Sequence, residues 1–300
     1  PANWKFRTRL ANVSSLNFLG LSPLHNFATG KRAQNPWGDA VTALQTANGQ
    51  PYYFNFHATH PAENSFGEKA IANTMVIGKS GTGKTALINF LLSQVQKFDP
   101  VPTIFFFDKD RGAEIFVRAC GGAYLALENG APTGFNPFQC AHTDANVQFL
   151  AGLIKVLAGK PQYTAREDED IHRAVESILD MPVQLRSMGN FQKSLPNMGD
   201  DGLYARLRKW TAGNALGWVF DNPVDVIDLE RASIIGFDYT EVIDNPEVRV
   251  PVINYLLHRL EALIDGRPLI YVMDEFWKIL DGSGGLKEFA KNKQKTIRKQ

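Results

Sequence analysis

Apolar positions along the chain fall into two patterns. Short continuous runs recur at "TMVIG" (74–78), "TIFFF" (103–107), "ASIIGFDY" (232–239) and "LIYVMDE" (269–275). Runs of this length without polar alternation predict strands; "TIFFF" and "LIYVMDE" read as covered on both faces, as in a parallel sheet. Between them the apolar residues repeat at three and four. Leu87, Leu91, Val95 and Phe98 predict one face of a helix from Thr85 to Phe98. Ile88, Phe90 and Leu92 widen that face, so burial on more than one side is expected, and Asp99-Pro100 ends the helix. Asn245-Pro246-Glu247 supplies a cap, a first turn and a dipole match for a second helix, with Ile253, Leu256, Leu257, Leu260 and Ile264 on its buried face. Upstream, "AVTALQT" and "PYYFNFH" flank "ANGQ", and strand formers on either side of Asn48-Gly49 predict a β-hairpin.

Where strands and helices alternate, the expectation is an α/β fold, with a mostly parallel central sheet flanked by helices. The alternation stops in the middle. "DANVQFLAGLIKVLAG", "EDEDIHRAVESILDM" and "GDDGLYARLRKW" all carry helical periodicity, which predicts a helical insertion over about 144–215. Asn136-Pro137 and Asn222-Pro223 are turn signals near its two junctions. The chain then divides into a lead-in with the hairpin (1–66), a first core part (67–138), the insertion (139–221) and a second core part (222–300). The insertion is expected to form a compact lobe on the edge of the sheet, free to shift when a ligand binds. Trp210 and Trp218 read as its core.

Composition adds little pressure toward any one partner. The 300 residues are 44% hydrophobic and 21% charged with a formal net charge of +1, which is soluble, globular and without a global pull toward nucleic acid or membrane. No apolar run approaches the roughly 18 residues of a membrane helix. The first residues lack the apolar core of a signal peptide and an initiator Met, so the chain is expected to be a piece of something longer. Cys120 and Cys140 show no metal spacing and read as two reduced thiols.

Gly78, Lys79, Ser80, Gly81, Thr82, Gly83, Lys84 and Thr85 together match G-x-x-x-x-G-K-[ST]. Glycines let the backbone curl so that successive N–H groups face a phosphate, and the following helix adds its positive end. The Lys84 ammonium would reach the β- and γ-phosphates and the Thr85 hydroxyl would ligate Mg²⁺. An apolar run before and an amphipathic helix after give the motif the context it needs. Such a site also requires an acid at the end of a buried strand, and "LIYVMDE" supplies Asp274 for Mg²⁺ and Glu275 to polarise an attacking water. The plainer reading is that both acids end a strand and cap the helix "FWKIL". No Asn-Lys-x-Asp motif for reading guanine is present, so ATP is favoured over GTP.

"VIGKSGTGKT", "FFFDKDRG" (105–112), "GFNPF" (134–138), "VMDEFWKIL" (272–280) and "KTIRKQ" (295–300) resemble the ATPases of type IV secretion and conjugation systems, of the CagE/TrbE/VirB type, within the FtsK/HerA branch of RecA-like P-loop proteins. The lead-in "RLANVSSLNFLGLSPLHNF" and "NPWG" are similar to the linker before that ATPase domain, so the resemblance covers the whole chain. It implies a RecA-like P-loop NTPase core and a C-terminal ATPase domain that uses ATP and Mg²⁺. It also implies a cytoplasmic location, peripheral at the bacterial inner membrane, a working hexamer, and other secretion-system components as partners. The activity implied is energising pilus assembly and substrate transfer. A DNA-translocating motor of the same branch, and a nucleotide-gated scaffold that does not hydrolyse, are the alternatives. In this branch a further strand follows the Walker B helix beside the P-loop strand; the sequence stops before it, so "TMVIG" is expected to have an unfilled neighbour or a substitute. Extension of the chain is then expected to raise stability and turnover.

The remaining candidates each carry two readings. Asp108 and Asp110 sit at a strand's C-terminal edge, where they would tune the Mg²⁺ water or a subunit contact, or simply turn into the helix "GAEIFVRAC". Arg111, Arg267 and Arg298 are candidates for an arginine finger acting on a neighbouring subunit, or are ordinary surface arginines. His57 and His60 lack a third ligand, so a hairpin edge is the better reading. Lys287, Lys291, Lys295 and Arg298 recur at helical spacing, as a nucleic-acid stripe or as a solvated or subunit-facing helix.

Overall fold

The computed structural model describes residues 40–46, 49, 51–56, 72–227, 233–261 and 267–275. The lead-in at 1–39, His57, His60, "FWKIL" and the basic tail with Lys287, Lys291, Lys295 and Arg298 lie outside the described residues. Described residues through Asp99 belong to one compact unit and those from Pro100 onward to a second.

In the first unit, β1 (Thr42–Gln45) and β2 (Pro51–Phe54) form the expected antiparallel hairpin, with Thr42 opposite Phe54 and Gln45 opposite Pro51. Gly49 sits in the turn at φ 77°, and its N–H donates to the Thr46 carbonyl at 2.9 Å. Helix α1 (Lys84–Val95) starts at the phosphate-loop lysine and stops short of Asp99-Pro100. Its buried residues are Leu91, Leu92 and Val95, whereas Leu87 and Phe90 are about two-fifths exposed, at 40% and 42%. The expected wide apolar face is thus narrower at the N-terminal end. Lys97, just past the helix, donates to the Ala40 and Val41 carbonyls at 2.7 and 2.8 Å and ties that end to the start of the hairpin.

The expected strand at 74–78 is corrected by the structure. This segment has no ladder partner among the described residues, and Met75 and Ile77 are 82% and 85% exposed. Strand propensity describes a side chain's fit to a pleated, half-buried surface, and without a neighbouring strand that surface does not exist.

The second unit is built on a four-stranded parallel sheet: β3 (Thr103–Asp108), β4 (Ala123–Ala126), β5 (Ile234–Asp238) and β6 (Leu269–Met273), in the order β4-β5-β3-β6. Every residue of β3 and β5 is buried, as a parallel strand covered on both faces requires. β6 is half-buried throughout rather than fully buried, and among the described strands it pairs with β3 alone. β4 was not anticipated: "AYLA" is short and only Tyr124 in it is buried. Between β3 and β4 lies α2 (Glu114–Ala119).

The region from 144 to 220 is helical as expected and contributes nothing to the sheet: α3 (Asp144–Ala158), α4 (Ala165–Asp180), α5 (Met188–Ser194), α6 (Leu203–Leu207) and α7 (Gly217–Phe220). Local chemistry sets these boundaries. Thr143 caps α3, Gly159 closes it at φ 61°, and Thr164 with Glu167 forms a capping box on α4. The apolar side chains of these helices do not make a core of their own. Leu150, Ile154, Ile171, Phe191 and Trp210 belong to one continuous cluster with Phe105 and Phe107 of β3 and Tyr255. Trp210 is buried, and its indole N–H donates to the Leu157 carbonyl at 2.9 Å; Trp218 is only partly buried. Helices α8 (Thr240–Asp244) and α9 (Pro246–Glu261) follow β5, and Asn245 Oδ1 accepts from the Glu247 N–H at 3.3 Å at the predicted start of α9. No helix among the described residues is long and apolar enough to cross a membrane.

Candidate active site

The phosphate-loop sequence lies in the first unit and folds around its own lysine. Gly81 and Gly83 adopt φ 78° and 87°, the left-handed region that side chains resist. A Cβ at either would meet nothing within 4 Å, so these glycines serve backbone conformation rather than space. Gly78 is different, because a Cβ there would come within 2.7 Å of Thr82 Oγ1. Thr82 Oγ1 donates to the Lys79 carbonyl at 2.7 Å, and Lys84 Nζ donates to the Gly78 and Lys79 carbonyls at 3.0 and 3.1 Å. The ammonium is thereby held inside the curl. Gly83, the N-cap of α1, offers no side-chain acceptor, and the first turn contains no acid. The helix therefore opens with uncapped N–H groups and its positive dipole end, the arrangement an anion satisfies.

The second unit brings acids together. Parallel strands end on the same side, and the register sets Asp108 of β3 opposite Asp238 of β5, with Phe107 opposite Met273. Asp274 therefore follows β6 beside Asp108, and its N–H donates to the Phe107 carbonyl at 3.0 Å. Asp108 is fully buried. Its Oδ2 accepts from the Tyr124 hydroxyl at 2.6 Å and the Ala113 N–H at 2.8 Å, while Oδ1 is buried without a hydrogen-bond partner. Burial pushes its pKa above the ordinary carboxyl value; the two hydrogen bonds oppose the shift, and the neighbouring charges of Asp238 and Asp274 add to it. Asp238 accepts from Arg111 Nε at 3.0 Å and from the Thr240 hydroxyl and N–H at 2.6 and 3.1 Å.

The "DKDRG" loop is tied to this edge under strain. Asp110 and Arg111 are consecutive non-glycine residues at φ 61° and 56°, conformations that persist only where surrounding contacts impose them. Here the Asp110 N–H donates to Thr240 Oγ1 at 2.7 Å, and Arg111 spans Asp238 and Glu128, with Nη2 2.7 Å from Glu128 Oε1. A cleft lined by Asp110, Arg111, Glu128, Asp238 and Thr240 opens beside the loop. The Arg111 guanidinium is thus engaged by two carboxylates of its own chain. Arg267 is exposed and precedes β6, at the end of the sheet opposite the acids.

Glu275 is the third strained non-glycine residue, at φ 51°. Its N–H donates to Asp274 Oδ1 at 3.0 Å, and the Tyr239 hydroxyl donates to the Asp274 carbonyl. Burial, with the charges of Asp274, Glu275 and Asp108, raises the Tyr239 pKa and keeps the phenol a donor. Tyr239, Thr240 and Tyr124 were not legible as site residues: in sequence each is a strand or turn residue with no spacing to the acids. Among the described residues no group of three His, Cys, Asp or Glu could hold a metal.

No protein-family model matches the chain. Among curated proteins it is similar to the type IV secretion system protein virB4 of Brucella suis, 45% identical over 317 residues, covering 100% of this chain and 38% of that protein. It is likewise similar to the type IV secretion system protein PtlC of Bordetella pertussis, 45% identical over 315 residues with 100% and 38% covered. The chain therefore spans 38% of the length of these relatives. Among solved structures it resembles VirB4 of Thermoanaerobacter pseudethanolicus, with TM-score 0.64 and 16% identity over 90% of this chain and 76% of that one. That likeness concerns the fold.

Proposed function

We propose that this chain, which belongs to the VirB4-type family of type IV secretion proteins, is an ATP-binding and ATP-hydrolysing motor domain that energises pilus assembly and substrate transfer. The observation that carries this reading is the start of α1: an uncapped helix N-terminus without an acid in its first turn, preceded by a left-handed glycine curl that holds the Lys84 ammonium. In this reading the N–H groups of Gly81, Thr82 and Gly83 and the Lys84 ammonium bind the phosphates. By their sequence motifs, Thr85 and Asp274 are each assigned to Mg²⁺, which would neutralise developing charge on the phosphates. The Glu275 carboxylate orients the attacking water and takes its proton.

The wider assignments also belong to the proposal. They are a working hexamer, contacts with other secretion-system components, a cytoplasmic position peripheral to the inner membrane, and a division into core parts at 67–138 and 222–300 around an insertion at 139–221. Titration with a fluorescent ATP analogue tests the binding step. Lys84→Ala is expected to weaken affinity at least tenfold with an unchanged circular dichroism spectrum; equal affinity in a folded Lys84→Ala protein would remove the loop from the site.

A further inference from the structure

We infer that Tyr239 is a positioning residue for hydrolysis, acting through the peptide bond between Asp274 and Glu275; this rests on the reading of Glu275 as the group that activates water. A peptide group is planar, so holding its oxygen and its N–H fixes the plane from which the next side chain departs. Both ends of this one are held. The Tyr239 hydroxyl donates to the Asp274 carbonyl oxygen, and the Glu275 N–H donates to Asp274 Oδ1 at 3.0 Å. On the far side of that plane Glu275 stands at φ 51°. With the plane held, φ sets how the Glu275 side chain leaves it, and at 51° that direction differs from the one the broad negative-φ region would give. The two hydrogen bonds hold the plane, and Tyr239 supplies the one that comes from outside the Asp274-Glu275 pair.

Tyr239 is built to do this. Its ring is buried and meets Phe107 edge to face, with centroids 6.2 Å apart at 89°. Its N–H donates to the Asp108 carbonyl at 3.2 Å, and its carbonyl accepts from the Ile243 N–H at 2.8 Å. The residue is therefore fixed by ring and backbone, and its hydroxyl adds a further bond from the residue just after β5 to the residue just after β6.

The test is a double-mutant cycle of Tyr239→Phe and Glu275→Gln, read as steady-state ATP turnover with Mg²⁺ alongside nucleotide affinity and thermal melting. Tyr239→Phe keeps the ring and removes only the donor. It is expected to lower kcat about ten- to a hundredfold, the scale of a misplaced catalytic group, with KM and ATP affinity within about twofold. In the Glu275→Gln background the same change is expected to have no further effect on kcat. An unchanged kcat in Tyr239→Phe, or an equal fold-loss in both backgrounds, would overturn the inference while leaving Glu275 in place. Normal turnover in Glu275→Gln alone would remove the reading on which the inference stands, whatever Tyr239 does.

Discussion

Asp108 and Asp238 face each other in register at the ends of adjacent parallel strands, yet only one of them has all its needs met. Asp238 is held by Arg111 and Thr240, whereas Asp108 is wholly buried and leaves Oδ1 without a partner. Its pKa is raised, chiefly by burial. The folded state therefore binds the Asp108 proton more tightly than the unfolded state does. Between the unfolded value near 3.8 and the raised folded value, folding stability falls as pH rises, and above that window the loss is constant. Asp108→Asn removes the term. In EDTA and without nucleotide, its melting temperature relative to wild type is expected to climb across that window and then level off. A difference independent of pH would show that Asp108 titrates normally.

The two asparagines at the junctions of the helical region hold each other's surroundings. Asn136 Nδ2 donates to the carbonyls of Asn222 and Arg186 at 2.8 and 2.9 Å, and Asn222 Nδ2 donates to the Phe135 carbonyl at 2.9 Å. Asn136→Ala strands two carbonyls in or near the core. Each such loss costs about 1–3 kcal/mol, so a destabilisation of about 2–6 kcal/mol is expected in urea unfolding. A loss below about 1 kcal/mol would mean that water replaces the amide.

Gly83 separates loop conformation from loop space. It stands at φ 87°, and an added Cβ would meet nothing. Gly83→Ala therefore carries only the left-handed backbone cost of about 1–2 kcal/mol, and that cost falls on the phosphate-binding shape. ATP affinity is expected to drop, with a fall in melting temperature no larger than that backbone cost produces. Calorimetric titration showing wild-type affinity would mean that the curl is not what binds.

Much of this was legible because the signals are local. Gly78 to Thr85, the hairpin around Gly49, the cap at Asn245-Pro246 and the buried runs of β3 and β5 each depend on neighbours in sequence. What failed depends on neighbours in space. "TMVIG" has the composition of a strand but no ladder among the described residues, and its Met75 and Ile77 face solvent. β4 was missed because "AYLA" buries only Tyr124, whose ring lies over Gly236, where a Cβ would come within 2.5 Å of it. The Arg111 clamp and the Tyr239 hydroxyl were invisible for the same reason. Their partners lie 127 residues away at Asp238 and 35 residues away at Asp274.

The central claim is that Glu275 drives ATP hydrolysis from the end of β6, and phosphate release by the purified Glu275→Gln protein tests it most directly. The amide keeps the shape but cannot accept the proton of the attacking water. ATP binding is expected to persist while turnover falls by about 10²–10⁴-fold, the usual contribution of a general base. Wild-type turnover in Glu275→Gln, with ATP bound normally, would contradict the account and leave Asp108 and Asp110 as the next carboxylates to test.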